Sequence, residues 1–150
     1  MIRAREALAV DLITVGADRI TARVRVVPGC ALRTSAFPGV AAEVLALMPD
    51  LVRHRCECGS AHGIAAELVD TELPHLLEHV ALELMARSGS SRSLRGETTW
   101  DFAADGRGVF RVALEYDDDL VALAALREGA AIINGLIREH GAHDVQDRAD

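Results

Sequence analysis

Twice along this chain a stretch that alternates apolar and polar residues is followed, across a glycine-bearing turn, by a second such stretch. "ALAVDLITV" and "RITARVRVV" flank Gly16-Ala17-Asp18, and "GETTWDFAADGRGVFRVALEY" folds back near Asp105-Gly106. A period of two places the apolar side chains on one face of a strand, so each pair predicts a β-hairpin. Elsewhere the period is that of a helix. Val40, Val44, Leu45, Met48 and Leu51-Val52 form one apolar face, with a kink expected at Pro49, and a short helical piece, "IAAELV", follows. Leu73, Leu76, Leu77, Val80, Leu84 and Met85 form another, with Asp70 or Thr71 as the expected cap, Pro74 in the first turn and "SGSS" as the stop. Leu120 to about Arg138 predicts a final Ala- and Leu-rich helix.

The order strand–strand–helix–helix–strand–strand–helix predicts an α+β fold. Its sheet is mostly antiparallel and four-stranded, built from two hairpins, with about three helices packed on one face. With 150 residues, half of them hydrophobic, the chain is expected to form a single domain over 1–140 with a polar, frayed tail over 141–150. A net charge of −7 without a basic stripe, and an aromatic content of 3%, argue against nucleic acid as a partner. No apolar run reads as a membrane span and "MIRAREALAV" lacks a signal-peptide core, so a cytoplasmic protein is expected. Three cysteines in such a chain do not suggest a disulfide framework.

"TELPHLLEHVALEL" carries the chemistry. Positions three and four apart share a helix face, so His75 and His79 can grip one Zn²⁺, or another divalent transition metal, while Glu78 holds and deprotonates water. This is the H-x-x-E-H arrangement of inverted zinc peptidases. The same letters also describe an apolar core helix with a polar edge.

A catalytic zinc ordinarily takes a third protein ligand. Glu83 stands about 12 Å along the helix from His75 and cannot close the site with both histidines. Glu115 is the chosen candidate. It shares a strand face with Arg111 and Ala113, opposite Val112, Leu114 and Tyr116, and is either paired with a metal or solvent-exposed. Glu97 and Glu128 are the remaining choices. His54, Cys56, Cys58 and His62 form a second cluster, suited to a structural Zn²⁺ or to a turn of buried thiols. Its Cys-x-Cys spacing is tighter than that of a zinc knuckle. Arg92, Arg95 and Glu97 lie between the motif helix and the Glu115 strand, where they could meet charged groups of a substrate or simply be solvated.

"FPGVAAEVLALMPDLVRHRC", "HLLEHVALEL", "RGET", "FRVALEYDD" and a closing Ala-rich helix, in that order, resemble the N-terminal domain of cyanophycin synthetases. The resemblance covers about Phe37 to Ile137. Those enzymes build an aspartate backbone bearing arginine side chains, using an ATP-grasp and a Mur-ligase-like module that follow this domain. In some members the domain itself resembles a metallopeptidase that cuts the polymer into primers. The resemblance implies His75 and His79 as metal ligands, Glu78 as general base, Glu115 as third ligand, and Arg95 and Glu97 near the substrate. Two departures stand out: "CGSAHGIAAEL" replaces the family's double glycine, and Pro74 replaces the small residue before the first motif histidine. With no ATP-grasp or Mur-ligase segment, a stand-alone zinc-dependent hydrolase of peptide or isopeptide bonds is expected. Its partner would be a peptide or polypeptide substrate, cyanophycin-like or another, and a homo-oligomer is compatible with its helices. The competing expectation is a non-catalytic peptide-binding or assembly module that keeps the fold.

Overall fold

The computed structural model describes residues 6–55 and 63–147, with side chains as far as His140. Four strands form one antiparallel sheet: β1 (Leu8–Val15), β2 (Arg19–Val26), β3 (Gly96–Trp100) and β4 (Val109–Glu115), in the order β1-β2-β4-β3. The helices are α1 (Val40–Leu47), α2 (Ile64–Glu67), α3 (Leu73–Arg87), α4 (Phe102–Asp105) and α5 (Asp119–Asp147). The α+β architecture expected from the periodicities is therefore present.

Alternation along the strands decides which face is covered. Ile20, Ala22 and Val24 of β2 pair with Leu114, Val112 and Phe110 of β4, and all six are buried. α3 packs over β2, β3 and β4, and α5 over β1 and β2, so this face and the two helices share one core. α3 contributes Leu73, Leu76, Leu77 and Val80, none of which is measurably exposed. Burial of each stabilises the fold by about 1.5–3 kcal/mol. α5 comes close to α3 at Gly129, where an added Cβ would lie 3.0 Å from Leu77 Cδ1. At the other end of the contact, buried Asn134 of α5 clamps the start of β1. Its Oδ1 accepts from the Ala7 and Leu8 amides at 2.9 and 2.8 Å, and its Nδ2 donates to the Leu8 carbonyl at 3.1 Å.

Four local expectations are corrected. At Pro49 the helix breaks rather than kinks, and a 3-10 turn over Pro49–Arg53 follows α1. α3 begins after Glu72 with no side-chain cap; Asp70 binds Arg33 and the Thr71 hydroxyl turns to His75 instead. The second hairpin is joined not by a tight turn but through α4, capped by Asp101, whose Oδ1 accepts from Ala104. Over Asp119–His140, α5 is long and apolar enough to cross a membrane by length and composition, contrary to the expectation of no such run, yet half of that window is buried inside the fold. Its apolar residues are those of a core helix, with Ala122, Leu126, Ile133 and Ile137 in the core.

Candidate metal centre

The apolar stripe of α3 faces the core, and the neighbouring edge of the same helix carries His75, Glu78 and His79. Their donor atoms lie within 4.8 Å of one another. His79 and Glu78 are buried, and His75 is partly so. His79 Nε2 stands 3.2 Å from His75 Nε2 and 3.6 Å from Glu78 Oε2. The other carboxylate oxygen, Oε1, accepts a hydrogen bond from the Thr98 hydroxyl of β3 at 2.8 Å. β3 can approach α3 this closely because residue 96 has no side chain: a Cβ there would meet Glu78 Cγ at 2.6 Å.

A chain of hydrogen bonds runs behind His79. Glu83, one helical turn on and fully buried, receives Arg92 through two N–H groups at 2.9 and 3.2 Å, and His54 Nε2 at 2.8 Å. Burial pushes the Glu83 carboxyl up, but the hydrogen bonds and charges of Arg92 and His54 together outweigh it and hold the group below the usual carboxylate range. The ionised Glu83 accepts a hydrogen bond from His54 Nε2. His54 Nδ1 in turn lies 3.1 Å from His79 Nδ1, so one of these two nitrogens donates to the other. Where His79 donates from Nδ1, its Nε2 is the acceptor that faces Glu78. The Thr71 hydroxyl lies 2.7 Å from His75 Nδ1 and donates to Glu72 Oε2 at 3.4 Å, so it can accept from His75.

Burial also keeps both imidazoles neutral. His79 is held down to about 3, by burial first and then by the neighbouring His75 and His54 rings. His75 is lowered by burial, against the opposing charges of Glu67 and Glu72. The two Nε2 atoms thus face each other at 3.2 Å, and two neutral imidazoles so placed can share one proton or hold one cation between them. Nitrogens about 2.0–2.1 Å from a tetrahedral Zn²⁺ would stand about 3.3 Å apart, close to the 3.2 Å seen here. The donor set of imidazole and carboxylate suits Zn²⁺ or a similar transition metal.

The other candidates are distributed differently. Glu115 follows Leu114, which is buried under the helices, so it belongs with Arg111 and Ala113 on the outer face of the sheet. There its Oε1 accepts from the Arg95 backbone amide at 2.7 Å, and the structure does not bring it into the histidine cluster. Glu97 pairs in register with Ala113 and is exposed on that same outer face. A cleft of about 1140 Å³ nonetheless takes in both groups, with His75, Glu78 and His79 on its inner wall and Arg95, Glu97 and Glu115 around the β3 edge. Glu128 is exposed on α5, beside Leu120 and Leu84. Of the second cluster, His54 joins His79 and Glu83, while Cys56, Cys58 and His62 lie outside the described residues.

The bonds that Thr98, His54 and Arg92 make to Glu78 and Glu83 are not among the sequence expectations. Thr98 could have been found from the pleat, since it shares the inward face with Gly96 and Trp100. The link from His54 to Glu83 spans 29 positions, and Arg92 reaches Glu83 from a loop, so neither follows from any local pattern.

The model of the family described as cyanophycin synthase-like N-terminal domain matches residues 23–138. The chain belongs to that family. A cyanophycin synthetase from Synechocystis sp. is 29% identical over 105 residues, which cover 69% of this chain. This cyanophycin synthase-like domain spans only 12% of that relative's length. The matched region contains the whole of α3, β3 and β4, and with them His75, Glu78, His79, Thr98 and Glu83.

Proposed function

We propose that this domain is a metal-dependent hydrolase of peptide or isopeptide bonds, acting in the cytoplasm on a polypeptide of the cyanophycin type. The observation that carries the reading is the approach of His75 Nε2 and His79 Nε2 to 3.2 Å beside a carboxylate pinned by Thr98. The name of the related cyanophycin synthetase supports a polypeptide as substrate.

His75 and His79 would hold the metal through the Nε2 atoms that face each other. When bound, Zn²⁺ or a similar ion supplies Lewis acidity for the scissile carbonyl and eases deprotonation of water. Glu78 acts as general base. Thr98 fixes Oε1, so Oε2 is the oxygen that takes a proton from the attacking water and returns it to the leaving amine. The buried floor formed by Leu76, Leu77 and Val80 holds the helix edge rigid, which keeps base and ligands in one geometry. The outer-face groups Arg95 and Glu97 border the cleft where substrate would extend.

Metal analysis tests the reading directly. Wild-type protein should bind about one equivalent of zinc, His75→Ala should lose it, and Glu78→Gln should retain it while hydrolysis falls by about 100-fold or more. A wild type that binds no added zinc, cobalt or manganese overturns the reading and leaves a non-catalytic peptide-binding module.

A further inference from the structure

β3 forms one edge of the sheet, and its outer side borders the cleft that holds the histidine cluster. The register decides which backbone groups face outward. The Glu115 amide donates to the Arg95 carbonyl at 2.9 Å, so residues 95, 97 and 99 make the bonded pairs with β4. Gly96, Thr98 and Trp100 therefore turn their N–H and C=O groups away from β4. Among the described residues nothing hydrogen-bonds to these outward backbone groups.

The opposite edge is treated otherwise. β1 carries a bulge between Val10 and Leu12, and Asp11 at that point holds Arg23 at 2.8 Å and Arg25 at 3.6 Å. A bulge and an edge charge are devices that discourage strand addition. β3 pairs with β4 without a bulge and contains no proline, and its short length limits an added strand to a few residues. Its inward side chains lead straight to the catalytic candidates, through the Thr98 bond to Glu78 and the contact of Gly96 with Glu78 Cγ. Charge adds a preference. Arg19, Arg53, Arg55 and Arg95 line the cleft against Glu78, Glu97 and Glu115, while Arg92 on its wall is held by Glu83 and Asp50, in a chain whose net charge is −7.

We infer that the outward edge of β3 docks an extended, carboxylate-bearing peptide as a fifth strand, laying its backbone beside Glu78, His75 and His79. The inference deepens the hydrolase reading and rests on it for what happens to the peptide once seated. Main-chain bonds to Gly96 and Thr98 would set the height of the peptide against Glu78, and the arginines would select its side chains. The backbone bonds make no demand on peptide side chains, so selectivity belongs to the cleft charges alone.

Amide hydrogen exchange on the full chain tests this, with a capped ten-residue oligo-aspartate as probe. Exchange at Gly96 and Thr98 should slow by about tenfold or more on saturation, with no change along β1. The same peptide methylated at every backbone nitrogen should lose that protection, and an oligo-arginine of equal length should bind about tenfold more weakly. Unchanged exchange at Gly96 and Thr98, protection by the methylated peptide, or no binding of oligo-aspartate overturns the inference. Hydrolysis of a peptide without edge protection sinks the docking strand and spares the hydrolase. Edge protection in a protein with neither metal nor turnover does the reverse.

Discussion

Gly96→Ala places one methyl group where the structure has no room for it. An ideal Cβ at residue 96 lies 2.6 Å from Glu78 Cγ, 3.0 Å from Cδ and 3.1 Å from Oε2. Ordinary carbon–carbon contact is about 3.5–4.0 Å, so one side must give by about 1 Å. β3 is tied to β4 along its whole length and α3 is anchored by Leu76, Leu77 and Val80, which leaves the Glu78 side chain as the part that moves. Its movement breaks the 2.8 Å bond to Thr98 and takes Oε2 away from His79. A displacement of about 1 Å in a catalytic group costs on the order of 100-fold in rate. The strain should lower stability by about 1–3 kcal/mol, partly offset by the poorer strand propensity of glycine. The assay is peptide hydrolysis with kcat and KM separated, beside metal content and urea unfolding. The expected result is a fall in kcat of about 100-fold, with zinc stoichiometry unchanged because the three atoms nearest the new methyl all belong to Glu78 and not to His75 or His79. Turnover close to wild type with metal retained would refute the reasoning, since Glu78 could not then be the base in the position it occupies.

Glu115→Gln should leave zinc stoichiometry intact and stability within about 0.5 kcal/mol, because glutamine still accepts from the Arg95 amide; loss of metal would restore Glu115 as a ligand. Asn134→Ala removes three hydrogen bonds at the start of β1 and should cost about 2–4 kcal/mol in urea unfolding without changing metal content. The pH dependence of the metal-free protein follows from His79, whose folded pKa of about 3 lies below its unfolded value near 6.5. Between those values the unfolded chain binds the extra proton, so stability is full above pH 6.5 and is lost as pH falls toward 3. From pH 7 to pH 5 this amounts to about 2 kcal/mol, and denaturation of His79→Leu at the two values should show a correspondingly shallower loss.

Local periodicity carried much of the fold. The β1–β2 hairpin and its turn, the core face of α3 and the inward residues of β4 can all be read from spacing, because a period of two or 3.6 sets a side chain's direction whatever lies around it. The grouping of His75, Glu78 and His79 is legible for the same reason. Pro49 was readable as a disturbance, but whether it kinks or ends a helix depends on what Leu51 packs against. The connection between β3 and β4 was misread because "DFAADG" serves a tight turn or a capped helical turn equally well, and the packing of Phe102 against Phe110 chose the second.

The sequence by itself determined which side chains share a face: the two histidines and Glu78 on one helix edge, and Glu115 with Arg111 and Ala113 on one side of a strand. Tertiary structure alone decided what those faces meet. It put the side of β4 opposite Glu115 against the helices, and it drew Thr98, His54, Glu83 and Arg92 from separate segments around His79 and Glu78. Direction is a property of the local backbone, whereas partnership is settled when the apolar faces close on a common core and carry their polar edges with them.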